Sequence, residues 1–186
     1  KFQASGKQAE LYSSESHVTV SGHEEGWWSA ERAVTDQMFY CASHLARQRA
    51  TRWLACDGEE PLVFGYVLEH SSTGPVVTHN TDLPFVFMNL SENASLEEHD
   101  LASDMAGAWY RFAAFGHPGT LDSGPLWAPQ TTRRAPLMKF QVRSKGGSAM
   151  IDGNFRDAQC SFMLDWINRT SRDLPNLSER RPILFN

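Results

Sequence analysis

One histidine stands where acid–base chemistry would need it, although the chain has no motif of a nucleophilic serine. His79 follows an apolar stretch that ends at Val77 and precedes the apolar aromatic run 83–87. Imidazole titrates near neutral pH, so a histidine held on a turn can accept a proton and return it. No Gly-x-Ser-x-Gly motif supplies a nucleophile. Taken alone, His79 is more simply a surface residue of a loop; as a base, it would be one part of a reaction whose other parts lie elsewhere.

The other histidines predict no second site. His70 ends a predicted strand, and five more fall on predicted loops or polar helix faces: His17, His23, His44, His99 and His117. No two of them combine zinc-ligand spacing with a third carboxylate or thiol. We therefore expect no metal and no cofactor.

Composition predicts one globular domain of ordinary kind. The chain has 186 residues, of which 41% are hydrophobic and 21% charged, which is enough for a sizeable core. Its net charge of -5 argues against nucleic-acid binding, which needs a clustered basic surface. The short arginine-rich spots at 47–52 and 180–181 are flanked by acids, so we interpret them as solvated faces. No apolar run is long enough to span a bilayer.

Two features indicate the secretory pathway. Acceptor motifs for N-glycosylation occur at four positions, Asn89, Asn93, Asn168 and Asn176. The three cysteines lack metal-ligand spacing. Outside the cytosol two of them would pair and one would remain, whereas three buried reduced thiols are the alternative. We expect a secreted or extracellular glycoprotein.

The elements that would position His79 follow from the hydrophobic pattern. Residues 1–26 are polar and indicate an irregular lead-in, after which apolar positions at helical spacing predict an amphipathic helix over 28–53. Residues 61–70 are almost continuously apolar, which is typical of a strand buried on both faces. We expect this strand to pair with a neighbouring strand on each side.

The clearest prediction is the helix that follows the histidine segment. Ser95 and Glu98 have capping-box spacing, and Gly116, with Pro118 beyond it, ends the helix. We interpret its apolar face as core, formed by Leu101, Met105, Ala108, Trp109 and Phe112.

Three further segments complete the pattern. Alternating residues 137–143 and a return at 149–151 predict a hairpin with one solvated face. Residues 157–168 carry an apolar helical face and predict a last helix, and the polar, proline-containing stretch from Asp173 is linker-like.

In their order and spacing these segments resemble the C-terminal third of the type-B carboxylesterases, the α/β-hydrolase family that includes the cholinesterases. The resemblance runs from about Trp27 to Trp166. It is carried by Asp36-Gln37-Met38-Phe39-Tyr40-Cys41, the strand Val63 to His70, His79-Asn80-Thr81-Asp82-Leu83-Pro84-Phe85-Val86-Phe87, Met105, Trp109, Phe112-Ala113-Ala114-Phe115-Gly116-His117-Pro118, Trp127 and Arg156-Asp157-Ala158-Gln159-Cys160-Ser161-Phe162. The chain departs from the family at Gly116-His117-Pro118-Gly119, where Gly-Asp-Pro-Asn is common.

The resemblance implies a fold and a domain plan. Residues 27–170 are expected to be the C-terminal part of an α/β-hydrolase, with edge-side strands of a mostly parallel sheet, covering helices and a terminal hairpin. Residues 1–26 precede this part as the lead-in, and residues 171–186 follow as a polar tail.

The resemblance also implies residue roles. His79 corresponds to the general base of a Ser-His-Glu/Asp triad, and because such hydrolases run serine, acid, histidine along the chain, a C-terminal piece holds the histidine alone. Cys41 and Cys160 correspond to the family's disulfide. Cys56 is left over, either buried or paired with an upstream cysteine.

Two functions follow from the resemblance. The first is an extracellular serine hydrolase of carboxylic esters whose N-terminal hydrolase portion, upstream in the same protein, is the partner of this chain. The second is a non-catalytic cholinesterase-like domain with an adhesion, assembly or structural role; serine at the upstream nucleophile elbow favours the first, and glycine or alanine the second. Cholinesterase-like proteins often pair through C-terminal helices, which suggests a homodimer or larger assembly through 157–168, although a glycan on Asn168 would oppose it.

Overall fold

A computed structural model describes residues 6–12, 26–56, 62–74, 76–151 and 155–172. The chain divides into two units: residues up to 43 together with those from 156 onward, and residues 44–155. The tail from 173 and the sequon residue Asn176 lie outside the described residues.

The first unit is helical. It contains α1 (Gly6–Leu11), α2 (Trp27–Thr35), a π-helical turn (Asp36–Tyr40), the start of α3 (Cys41–Cys56) and α6 (Asp157–Arg172). The helix predicted over 28–53 is therefore continuous over 27–56 but takes one wide turn. Helix α1 differs from the irregular lead-in that polarity predicted, and a tertiary contact explains the difference: Tyr12, next to its C-terminus, is buried with Ala33 and Met163.

A buried ionic cluster fixes the first turn of α6. The carboxylate of Asp36, only 1% exposed, accepts a hydrogen bond from the hydroxyl of Tyr12 at 2.7 Å and one from Nε of Arg156 at 2.6 Å. Burial, reinforced by the bond to Asp36, raises the pKa of Tyr12. Close by in the chain, a disulfide joins Cys41 to Cys160 with a Cα–Cα distance of 5.1 Å. Both links cross about 120 residues of sequence, so α6 is held to the π-helical turn by an ion pair and a covalent bond.

The second unit is built on a three-stranded mixed sheet. Strand β1 (Tyr66–Leu68) pairs in parallel with β2 (Leu137–Phe140), which pairs antiparallel with β3 (Ala149–Ile151). The predicted strand over 61–70 is thus shorter than expected. Within the described residues β1 has a neighbour on one side only, so its other backbone edge is open.

The hairpin of β2 and β3 forms as predicted, with a register that pairs Met138 with Met150. Its turn contains Gly146 and Gly147, which both have positive φ, a conformation that glycine adopts without a steric cost. The prediction of one solvated face is wrong for β2, because Leu137 and Met138, on opposite faces, are both buried. As the middle strand, β2 is covered on both sides, and only Lys139 is partly exposed.

Helix α5 (Leu96–Phe115) packs on the sheet together with the short helix α4 (Leu83–Val86). Its capping box is present in full, with Ser95 and Glu98 each bonding the other's backbone amide, and Gly116 ends it at φ 79°. The main core comprises Leu68, Phe85, Leu101, Ala102, Met105, Ala108, Leu121, Trp127, Met138, Phe140 and Val142.

The prediction that the apolar face of α5 is core is wrong for Phe112. Phe112 is 47% exposed, and its ring meets that of Phe64 edge-on with the ring centres 5.8 Å apart. Together with Tyr66, Trp109 and Trp127 these two rings line an apolar cavity of about 180 Å³.

Candidate active site

His79 lies on a tight turn in the loop that follows β1, and the residue is exposed. Hydrogen bonds between Thr78 and Thr81 close the turn: the amide of Thr81 donates to the carbonyl of Thr78 at 3.2 Å, and the amide of Thr78 donates to Oγ1 of Thr81 at 3.0 Å. Asn80 takes a left-handed conformation with φ 66°, which asparagine tolerates better than most residues. The turn thus presents the imidazole outward on a fixed backbone.

Two contacts anchor this turn to the sheet and the core. The hydroxyl of Tyr66, in β1, donates a hydrogen bond to Oδ2 of Asp82 at 2.7 Å. Burial and then this bond raise the pKa of Tyr66, so its hydroxyl stays a donor over the physiological pH range. Three residues further on, Phe85 is fully buried in the core. The alternation of a polar turn with an apolar anchor is what holds His79 at the surface.

An open cavity of about 570 Å³ lies beside His79. Its walls come from three stretches of chain: 72–73 after β1, 78–85 around the histidine, and 89–91 before α5. Pockets of roughly 300–1,000 Å³ hold small organic ligands. Its size is therefore sufficient for a small substrate group next to the imidazole.

A second histidine, His70, forms a buried pair behind the cavity wall. Its Nε2 lies 3.0 Å from Oε1 of Glu98, and the two residues are 8% and 9% exposed. The ring also meets Phe85 edge-on at 5.8 Å, while its Nδ1 is buried without a hydrogen-bond partner among the described residues. A hydrogen bond from Ser72, supported by those from His70 and Ser95 and opposed by burial, lowers the pKa of Glu98 to about 2.

This pair joins two walls of the cavity. Ser72 is part of one wall, and Glu98 lies in the first turn of α5, which follows the other wall, so the carboxylate ties 70–72 to the start of α5. The sequence pattern indicates no role for His70 and only a capping role for Glu98. The two residues are 28 positions apart, and only the buried placement of both shows that they form one unit.

We expect Glu98→Gln to weaken the fold at neutral pH and to reduce its sensitivity to acid. The pKa of Glu98 is lower in the folded protein than the ordinary value of 4.5. Its contribution is therefore complete above about pH 4.5 and is lost as the pH falls toward 2, and it amounts to about 3 kcal/mol. Urea unfolding of the full-length polypeptide at pH 7 and pH 3 measures this difference.

Glu92→Gln is the matched control for this experiment, because Glu92 is exposed and makes no described contact. It should leave both unfolding midpoints unchanged. An equal loss of stability in Glu98→Gln at pH 7 and at pH 3, relative to the unmodified protein, would contradict the assignment.

The remaining predicted site residues lie apart from this cavity or at its rim. Asn89 is exposed and lines the cavity, Asn93 is exposed in the following turn, and Asn168 belongs to α6. Cys56 is a free, exposed thiol at the end of α3. Among the described residues no group of three His, Cys, Asp or Glu side chains could hold a metal ion. The helices of this part of the chain also include none that is long and apolar enough to cross a membrane.

The chain matches one family of known proteins by sequence. The sequence profile of the carboxylesterase family matches residues 6–163, beginning inside the segment interpreted as a lead-in. No curated protein sequence matches the chain significantly.

Solved structures agree with the family match at the level of the fold. A carboxylesterase of Geobacillus stearothermophilus, Est55, superposes with a TM-score of 0.64 over 87% of this chain at 20% identity. A PNB esterase superposes with a TM-score of 0.55 over 82% of the chain, also at 20% identity. The chain spans only 32% and 30% of the lengths of these two structures. The helices and the small mixed sheet are therefore part of an α/β-hydrolase fold.

Proposed function

The chain belongs to the carboxylesterase family, and from this premise we propose that it is the C-terminal portion of a serine carboxylic-ester hydrolase in which His79 is the general base. The observation that carries the proposal is the place of His79. It is exposed on a fixed turn, in the loop that leaves the C-terminal end of a strand of the parallel pair, and it lies beside a cavity. In open α/β sheets, ligands bind outside the carboxyl ends of the strands.

In the proposed reaction the imidazole of His79 first accepts a proton and then donates it. It takes the proton from an upstream serine hydroxyl as the oxygen attacks the ester carbonyl, and it gives that proton to the departing alcohol oxygen. The resulting acyl-enzyme is then cleaved by water, whose proton follows the same route back to the serine. An upstream carboxylate would hold the ring in the required tautomer.

Exposed apolar surface supports an upstream partner within the same polypeptide. One edge of β1 is paired with no described strand, and the segment after His79 exposes Leu83, Phe87 and Met88. An unpaired strand edge and a cluster of exposed large apolar side chains mark surfaces that other chain segments cover. The N-terminal hydrolase portion would cover these surfaces and bring the serine and the acid to the cavity.

A location outside the cytosol is also part of the proposal. Its support is the Cys41–Cys160 disulfide, since such bonds persist mainly in oxidising compartments, together with the exposed sequon residues Asn89 and Asn93. A glycan on Asn89 would stand at the rim of the cavity, and it would restrict the size of ester that enters.

The direct test is hydrolysis of a short-chain 4-nitrophenyl ester by the full-length polypeptide, combined with the identity of the residue at its upstream nucleophile elbow. Serine at the elbow and turnover of the ester are the expected results. Glycine or alanine at the elbow with no turnover would overturn the proposal in favour of the non-catalytic alternative.

A further inference from the structure

We infer that a small basic pocket at the opposite end of the sheet binds the phosphate or sulfate group of a ligand. This pocket, here called the arginine pocket, lies between the C-terminal half of α3 and the turn that leads into β2. Its volume is about 120 Å³, and it is lined by Gln48, Thr51 and Arg52 of α3 and by residues 130–135.

The lining is entirely neutral or cationic. Arg52 contributes from α3, Arg133 and Arg134 contribute from the turn, and no carboxylate is among the lining residues. These three arginines make no ion pair with any described residue. Guanidinium groups remain charged at every physiological pH and match oxyanions with paired donors. Three of them around one pocket therefore favour an anionic occupant.

The turn that carries two of these arginines has a defined backbone. Oγ1 of Thr131 accepts from the amides of Arg133 at 3.3 Å and Arg134 at 3.0 Å, and the amide of Thr131 donates to the carbonyl of Arg134 at 2.8 Å. The same hydroxyl lies 3.5 Å from that carbonyl. The two guanidinium groups are thus attached to a closed turn.

The floor of the pocket is built from buried polar groups. Gln130 is only 2% exposed. Its backbone amide donates to the carbonyl of Val63 at 2.7 Å, and its side-chain Oε1 accepts from Nη1 of Arg47 at 2.9 Å. With its oxygen engaged, the side-chain nitrogen of Gln130 remains as a donor. Thr51 is likewise buried, and its hydroxyl bonds the carbonyl of Arg47. Neutral donors and buried anchors complete a site for one tetrahedral oxyanion.

The size and position of the pocket separate it from the proposed active site. A volume of 120 Å³ is well below the roughly 300–1,000 Å³ of pockets that enclose whole organic ligands, so it suits a single charged group. Its lining residues in α3 come before strand β1 in the chain and residues 130–135 come before the parallel strand β2, whereas His79 comes after the C-terminal end of β1. Binding here is therefore independent of the esterase proposal.

Isothermal titration of the full-length polypeptide, purified without phosphate or sulfate, tests this inference. The titrants are inorganic phosphate, inorganic sulfate and a monosulfated disaccharide. We expect saturable binding with a dissociation constant of about 1 mM or tighter. Tighter binding of the free ion identifies a soluble anion as the source of the group, and tighter binding of the disaccharide identifies a sulfated glycan. No saturation by any titrant below about 10 mM would overturn the inference.

Variants locate the binding. Arg133→Ala with Arg134→Ala, and separately Arg52→Ala, should each weaken binding about tenfold, the loss expected for a charge-assisted hydrogen bond. Lysine at the same positions keeps the charge but not the paired donors, so it should restore part of the affinity. Arg143→Ala is the control, because Arg143 is exposed, pairs with Asp100 and lies outside the pocket. An equal loss in this control would indicate diffuse charge attraction and contradict a site.

The acidic residues that follow α3 lie outside the described part of the chain, so one further variant addresses them. Asp57→Asn with Glu59→Gln and Glu60→Gln should change the affinity by no more than about threefold, because the inference assigns the pocket to an external anion and not to these carboxylates. An increase greater than about tenfold would show that this acidic run already occupies the pocket, and it would overturn the inference of an external ligand.

Discussion

Replacing His79 with alanine in the full-length polypeptide is expected to lower kcat/KM for ester hydrolysis by a factor of at least about 10³. Without the imidazole, the serine proton has no acceptor during attack and the leaving alcohol has no donor. KM should change little, because the cavity walls at 72–73 and 89–91 remain in place. Initial rates with a 4-nitrophenyl ester measure both parameters.

His99→Ala is the matched control for this experiment. His99 is also exposed, but it lies on α5 and does not line the cavity. Its replacement should leave kcat/KM within about twofold, as expected for a surface substitution. A similar loss in both variants would assign the effect to the fold, and full activity in His79→Ala would remove His79 from the reaction.

Replacing Cys41 with serine is expected to lower the free energy of unfolding by about 4 kcal/mol. The Cys41–Cys160 disulfide closes a loop whose ends are 119 residues apart, so it restricts the unfolded chain strongly. The loss should be largest in α6, which the Asp36–Arg156 ion pair also joins to the π-helical turn. Urea unfolding gives the total change, and hydrogen exchange of α6 amides gives its location.

Cys56→Ser provides the control for the disulfide, since Cys56 is free and exposed in the structure. It should leave the unfolding midpoint unchanged. Peptide mapping without reduction adds a direct check, because a Cys56–Cys160 peptide in place of Cys41–Cys160 would contradict the pairing.

Sequence patterns predicted those elements whose signals are local. The capping box at Ser95 and Glu98 and the left-handed Gly116 each act within one helical turn, and both ends of α5 lie where these residues indicate. The hairpin of β2 and β3 was likewise visible as two apolar runs around a glycine turn. The turn with His79 could be found because a polar segment separates two apolar ones.

Features that depend on distant contacts could not be predicted in the same way. The buried pair of His70 and Glu98, the cluster around Asp36, and the arginine pocket each join residues that are 24 to 120 positions apart. Arg52 and the turn at 133–134 illustrate the reason. In the sequence the run 47–52 is typical of a solvated face. Only the fold brings Arg133 and Arg134 close to Arg52.

Phe112 and Leu137 show why burial is harder to predict than the elements themselves. Hydrophobic periodicity shows which side chains share a face, but the extent of burial depends on what covers that face. Phe112 shares the apolar face of α5 and is nevertheless half exposed, while Leu137 lies on the face of β2 predicted to be solvated and is buried. The covering elements decide both outcomes.

Labelling of the full-length polypeptide with a fluorophosphonate probe tests the role of His79 most directly, because the probe reacts with a serine that a base has activated. Mass spectrometry should find one labelled serine upstream of this chain, and His79→Ala should slow the labelling by at least about 100-fold. The absence of a labelled serine in the unmodified protein, or an unchanged labelling rate in His79→Ala, would contradict the proposal that His79 is the base of a serine hydrolase.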